Sequence, residues 1–193
     1  MKWNYDDYVE WIKNGHLINN MVLELDISFS KIKSLKPVAK LVNLKILKCS
    51  KNKIESLEPI KNLINLEILN CSNNKIKLLE LIKYLISLEI FECSCNECES
   101  LEPIKYLISL EILNCSNNKI NSLEPISNSI NLEVLCFYFC RIKSLEPLVN
   151  LINLVNLVNL INLETVKSNI DIDDVPFNIK KILLCLVCID IYF

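Results

Sequence analysis

The sequence has almost no glycine, alanine or arginine. Among 193 positions there is one glycine, Gly15, one alanine, Ala39, and one arginine, Arg141. A single glycine excludes a glycine-rich phosphate loop, whose close backbone approach needs several. The only histidine, His16, has no cysteine or serine with an orienting acid beside it, so a nucleophile–histidine catalytic arrangement finds no candidate. Basic excess is also missing. A net charge of -2, with 23% charged residues, gives no electrostatic footprint for nucleic acid. No uninterrupted run of eighteen or more apolar residues occurs, so a membrane span is not expected. Residues 1–7 carry two acids and no apolar stretch, so neither does a secretory leader. The ten cysteines are therefore expected as thiols in the cytoplasm.

What the chain does have is apolar content, 51% with mean hydropathy +0.30, laid out at a fixed interval. Leu44, Leu66, Leu88, Leu110, Leu132 and Leu154 recur every 22 residues. Leu47, Leu69, Phe91, Leu113 and Leu135 form a second column, and Cys49, Cys71, Cys93, Cys115 and Phe137 a third. Asn52, Asn74, Asn96 and Asn118 make a fourth, followed by Cys140; Ile54, Ile76, Cys98, Ile120 and Ile142 make a fifth; Leu57, Leu79, Leu101, Leu123 and Leu145 complete the period. Val22, Leu25, Ile27, Ile32 and Leu35 fit the same columns one period earlier. This gives coils at 22–43, 44–65, 66–87, 88–109, 110–131 and 132–153. Leu69 and Cys71 alternate with Ile68, Asn70 and Ser72, the period of a strand. Successive coils then place these strands in parallel, about 4.8 Å apart. A buried asparagine at the turn is expected to satisfy backbone groups of its own coil and the next. Pro37, Pro59, Pro103, Pro125 and Pro147 suit the start of a tight turn.

Leu66-x-x-Leu69-x-Cys71-x-x-Asn74-x-Ile76 resembles the leucine-rich-repeat consensus. The 22-residue length, with Leu-Glu-Pro-Ile following, is similar to repeats of a phosphatase regulatory subunit and of bacterial internalins. The resemblance covers 22–153. It implies an α/β right-handed solenoid, or horseshoe, with a concave parallel sheet, 3-10 or short helical turns on the convex side, and helical caps. It also implies a non-enzymatic protein–protein interaction module with no cofactor and no bound metal, docking a partner on the concave face. Scarce Gly, Ala and Arg against abundant Ile, Asn, Lys and Leu read as an AT-rich genome, such as that of a giant DNA virus.

The chain then divides as one domain, 1–193. Residues 1–21 form an N-terminal cap, 22–153 the six repeats, 154–168 a triplet insertion with a last imperfect repeat, and 169–193 a C-terminal cap. Tyr5, Tyr8, Val9 and Ile12 share one face of a helix over 5–14, with Asn4 as N-cap and Gly15 just past the end. Ile179, Ile182, Leu183, Leu186 and Val187 do the same for 177–188, which reads as a cap; a membrane anchor there would be too short. Leu151-Ile-Asn, Leu154-Val-Asn, Leu157-Val-Asn and Leu160-Ile-Asn suggest an extended convex helix, with a final strand over 163–168.

Four surfaces compete as sites. On the sheet, Ile46, Ile68, Ile90, Ile112 and Val134 point outward beside Asp26, Lys48, Asn70, Glu92, Asn114 and Cys136, then Ser28, Ser50, Ser72, Ser94, Ser116 and Tyr138. Six or seven strands span about 30 Å, enough for the roughly 800 Å² per partner of a standard interface; the alternative is that β-branched residues are there only because they suit strands. The sixth coil departs from the pattern with Cys136-Phe137-Tyr138-Phe139-Cys140-Arg141, where Tyr138 and Phe139 serve as interface anchors or as shields at a solenoid end. Lys31, Lys53, Lys75, Lys119 and Arg141 form a basic column broken by Glu97, either a docking edge for an acidic partner or a solvated rim. Cys95-x-x-Cys98 and Cys185-x-x-Cys188 suggest zinc by spacing, but the register turns Cys98 inward, so the cysteine column reads as small buried hydrophobes. Glu58/Lys61, Glu80/Lys83 and Glu102/Lys105 sit one turn apart as pairs. The partner-binding residues expected are Ile90, Glu92, Ile112, Asn114, Cys136, Tyr138, Phe139 and Arg141. The partner is a protein, without nucleic acid or membrane, and the chain is a monomer or weakly self-associating. The competing reading is a structural component that self-associates through the apolar C-terminal segment.

Overall fold

The computed structural model describes residues 1–148, 151, 153, 154, 156 and 157. The 22-residue interval becomes sheet register directly. Strands β2 (Glu24–Asp26), β3 (Ile46–Lys48), β4 (Ile68–Asn70), β5 (Ile90–Glu92), β6 (Ile112–Asn114) and β7 (Val134–Cys136) lie side by side in sequence order, all parallel. Leu25, Leu47, Leu69, Phe91, Leu113 and Leu135 are register partners in turn. Each is essentially fully buried, worth about 1.5–3 kcal/mol against exposure. That gain exists only when a neighbouring coil supplies the other wall, which is why stacking is the source of stability.

The sheet runs one strand further at each end than the repeat columns suggest. Residues Lys2–Trp3 form β1, paired with Glu24 and Leu25, and the Met1 carbonyl accepts the Leu23 and Glu24 N–H groups. Helix α1 (Tyr5–Lys13) follows. Asn4 caps it by accepting from Asp6 and Asp7 N–H, while the Asp7 carboxylate accepts the Asn4 N–H at 2.9 Å. Gly15 has φ 87, the left-handed conformation that stops a helix at little cost. Tyr8 inserts into the core, and Trp3, Trp11 and Ile12 pack against it.

At the other end, the expected convex helix over the triplet run is corrected. Asn156–Leu157 form β8, in register with Val134 and Leu135. The reason is arithmetic: the repeat opens with leucines three apart, so a leucine triplet supplies Leu154 and Leu157 where a coil needs them. The strand expected at 163–168 and the helix at 177–188 lie outside the described residues.

Away from the sheet each coil closes with a 3-10 turn: Pro37–Lys40, Glu58–Ile60, Glu80–Tyr84, Glu102–Tyr106, Glu124–Ile126 and Glu146–Leu148. A serine two residues before most turns fixes the first N–H. Ser56, Ser100, Ser122 and Ser144 accept from Glu58, Glu102, Glu124 and Glu146 at 3.0–3.1 Å. The third coil lacks both devices, having Leu78 and Leu81 in place of serine and proline.

The asparagine column is the polar spine. Asn74 Nδ2 donates to the Cys71, Ser72 and Cys49 carbonyls, and its Oδ1 accepts the Ile54 N–H at 2.9 Å. The neighbour it serves is the preceding coil, not the following one as expected. Asn96 and Asn118 repeat the arrangement while buried.

Candidate protein-docking face

Alternation along each strand leaves two residues outward for every one inward. Ile46, Ile68, Ile90, Ile112 and Val134 are consecutive register partners and only half-buried, a continuous apolar stripe crossing the sheet. Beside it Asn70, Glu92, Asn114 and Cys136 form the second outward row. Five of the expected partner-binding residues, Ile90, Glu92, Ile112, Asn114 and Cys136, are therefore contiguous on β5–β7. Part of that row is structural. Asn70 donates Nδ2 to the Glu92 carboxylate, and the Asn114 Oδ1 accepts the Ser116 N–H at 3.2 Å. Burial first, and then the negative charge of Glu92, push the Cys136 thiol up, so it stays protonated near neutral pH. The outward serine row is corrected at two places: Ser72 and Ser116 are buried, and Ser116 Oγ accepts the Tyr138 N–H at 3.1 Å.

Tyr138 and Phe139 sit just past β7, with ring centroids 3.9 Å apart at 57°. Phe139 is 54% exposed and has φ 53. It is one member of a column that the composition conceals. Phe29, Lys51, Asn73, Cys95, Asn117 and Phe139 all have φ between 52 and 58. Left-handed backbone suits glycine or asparagine, and a bulky residue there is strained. Asn73 and Asn117 were the signal for this position in the sequence. Phe29, at the far end, is 68% exposed, with Lys51 Nζ 4.5 Å from its ring centre. It borders a shallow groove of about 670 Å³ lined by Lys2, Trp3, Asp7, Asp26 and Ser28.

The two edges of the sheet carry opposite charge. Lys31, Lys53, Lys75, Lys119 and Arg141 are exposed where the strands end. Glu97 is tied to Lys119 at 3.5 Å and to Lys77 at 3.8 Å, so the gap in this column is bridged. Where the strands begin, Glu67, Glu89, Glu111 and Glu133 stack one per coil, and Lys45 pairs with Glu67. That acidic column follows from the leucine-glutamate spacing and was missed. Among the convex pairs, Glu58–Lys61 and Glu102–Lys105 form at 2.9 and 2.8 Å. Glu80–Lys83 is not among the ion pairs of the described residues; Lys83 instead lies over the Tyr84 ring.

A second apolar row lies on the loops that return to the sheet. Val42, Ile64, Ile86, Ile108 and Ile130, again 22 apart, are 39–73% exposed, more than the isoleucines of the sheet, and Tyr84 and Tyr106 stand near them in sequence, exposed as well. It too was missed, because the sequence alone did not separate this column from the buried leucines around it. Cys49, Cys71, Cys93 and Cys115 form a fully buried column of thiols. No group of three or more metal-ligating side chains is gathered among the described residues, and among these no helix is long and apolar enough to cross a membrane.

With the parallel register and the asparagine spine in place, sequence comparison agrees: residues 42–84 and 108–150 match the model for Leucine Rich repeats (2 copies). The fold is the leucine-rich-repeat horseshoe. Solved leucine-rich-repeat structures superpose closely. A Listeria monocytogenes internalin, InlF, is 26% identical with a TM-score of 0.67, covering 69% of this chain and 39% of its own. The functional domain of InlJ from the same organism, which includes a cysteine ladder, is 28% identical with a TM-score of 0.66, covering 72% and 30%. A plant peptide hormone receptor in complex with RGF2 is 22% identical with a TM-score of 0.62, covering 70% and 24%, a likeness of fold alone. The chain thus spans well under half the length of each. No curated protein matches the sequence.

Proposed function

We propose that this leucine-rich-repeat chain is a non-catalytic docking module that binds a protein partner on the outward face of β5–β7. The observation that carries the reading is the unbroken stripe Ile68, Ile90, Ile112 and Val134, with half-buried Tyr138 and the exposed, left-handed Phe139 just past the end of β7. A rigid preformed face lowers the ordering cost of association. Strain at an exposed aromatic is more readily kept where it serves contact than where it serves folding. Glu92, Asn114, Cys136 and Arg141 rim the stripe. The plant receptor that shares the fold is seen with a peptide hormone, which is in keeping with this use of the architecture. Cytoplasmic residence is part of the proposal, on the ground that five of the eight described cysteines, Cys49, Cys71, Cys93, Cys98 and Cys115, are buried free thiols. Affinity purification from the native cell with wild type and with Tyr138→Ala/Phe139→Ala is the test. Loss of the main partner with the double variant supports the placement, and unchanged recovery defeats it.

A second reading, self-association, draws on the exposed Ile64, Ile86, Ile108 and Ile130 row, since stable monomers seldom expose a long apolar ridge. Light scattering on wild type and Ile86→Lys/Ile108→Lys separates the two: a dimer that the double variant dissociates favours self-association.

A further inference from the structure

The asparagine spine ends at position 140, where a cysteine takes the column, and this cysteine is unlike the other described ones. Cys140 Sγ donates to the Cys115 carbonyl at 3.3 Å, across the coil boundary, which brings the two cysteines together. Cys115 is fully buried and Cys140 is half-buried, so one member of the pair faces an approach from solvent and the other does not. We propose that Cys140 and Cys115 are an oxidation site, in which a peroxide converts the pair to a disulfide joining the fifth coil to the sixth.

The chemistry divides naturally between the two sulfurs. The Cys115 side chain lowers the Cys140 thiol from its ordinary value; burial opposes this, and the Asn118 backbone adds to it. The same contact and burial raise Cys115, which keeps its proton. Thiolate is the form that attacks peroxide. The Cys140 sulfur attacks one peroxide oxygen, the O–O bond breaks, hydroxide leaves, and a sulfenic acid remains on Cys140. The Cys115 sulfur then attacks that sulfur; the S–S bond forms, the S–OH bond breaks, and water departs with the Cys115 proton. In sum, two thiols and one hydrogen peroxide give one disulfide and two waters. Closure to an S–S bond of about 2.05 Å ties the coils together at the point where the asparagine ladder gives out. Burial pushes the Cys93 and Cys98 thiols up, so they remain protonated bystanders. The inference stands independently of which surface the chain uses for docking.

The test uses the full reduced chain treated with stoichiometric hydrogen peroxide, blocked with N-ethylmaleimide and digested with trypsin. Cleavage after Lys105, Lys119 and Arg141 puts Cys115 in 106–119, Cys140 in 120–141, and Cys93, Cys95 and Cys98 in 84–105. A 106–119/120–141 species two hydrogens lighter than the sum of its parts, with fragments placing the bond at Cys140, is the expected result. Cys140→Asn, which restores the residue usual in this column, abolishes the species, and Cys98→Ser retains it. Both thiols recovered as maleimide adducts after peroxide, or a bond running instead through Cys136 or within 84–105, overturns the proposal. The mapping on wild type decides the matter even if a variant fails to fold.

Discussion

Asn118 reaches back across a coil boundary to Cys98: its Oδ1 accepts the Cys98 N–H at 2.9 Å, while its Nδ2 donates to three carbonyls, one of them Cys93 in that same earlier coil. One side chain therefore supplies the acceptor of the buried Cys98 N–H and a further donor to three carbonyls that Asn96, Cys95 and Cys140 also reach. Asn118→Ala leaves the Cys98 N–H unpaired in a dry interior and is expected to cost about 2 kcal/mol. Asn52→Ala, at a less buried position of the same column, costs less. Urea denaturation of the two variants checks both the size and the order; equal, small losses would mean that the spine contributes little.

Position 140 offers the converse substitution. Cys140 makes one weak bond where asparagine makes several, and it leaves the Ile120 N–H without the acceptor that Asn118 gives Cys98. Cys140→Asn is expected to raise the urea midpoint by about 1 kcal/mol of stability, even as it removes the thiol chemistry. A lower midpoint would show that the sixth coil cannot hold the asparagine geometry.

The left-handed column predicts a split between stability and binding. Phe139→Asn and Lys51→Asn each relieve a residue held near φ 50, worth about 1 kcal/mol. Both variants should melt higher. Only Phe139→Asn should lose partner recovery, because Lys51 lies at the other end of the sheet. If the two behave alike in recovery, the aromatic turn is not the anchor.

Buried thiols set an alkaline limit. Burial pushes Cys49 and Cys98 up from 9.0 to about 12 and Cys71 and Cys93 well above 9.0, and the Cys140 side chain together with burial does the same for Cys115. In the unfolded chain these groups ionise near their ordinary value, while the folded chain keeps the protons. The folded pKa is raised, so the stabilisation is complete below pH 9 and is lost as pH rises through the folded values. Each thiol contributes a slope of about 1.4 kcal/mol per pH unit in that window. The urea midpoint should be insensitive to these thiols below pH 9 and fall steeply above it, less steeply in Cys71→Ala/Cys93→Ala. A midpoint that does not fall between pH 9 and 11 contradicts the burial of the column.

Much of the fold was legible because a solenoid converts sequence interval into spatial register. The Leu44–Leu66–Leu88 spacing is the strand offset, and the Asn74 and Asn96 column is the spine. What escaped lies where position, not residue type, dictates conformation. Phe29, Lys51 and Cys95 have no preference for left-handed backbone, yet the turn before Ser30, Asn52 and Asn96 imposes it on them. Strand β8 was read as helix because a leucine triplet fits two periods, and only pairing with Val134 and Leu135 chooses between them. Of the candidate site, the outward row on β5–β7 followed from alternation alone. The exposed Ile86 and Ile108 row did not, since apolar residues next to buried leucines give no sign of which way they face.

Those two apolar rows are the surfaces a partner could use, and one measurement chooses between them. A photo-crosslinking amino acid placed at Ile112 on the sheet, or at Ile108 on the returning loop, reports contact within a few bonds' length in the native cell. The docking account predicts a discrete protein adduct from position 112 and none from position 108. An adduct from 108 with none from 112 would place the interface on the opposite row and contradict it.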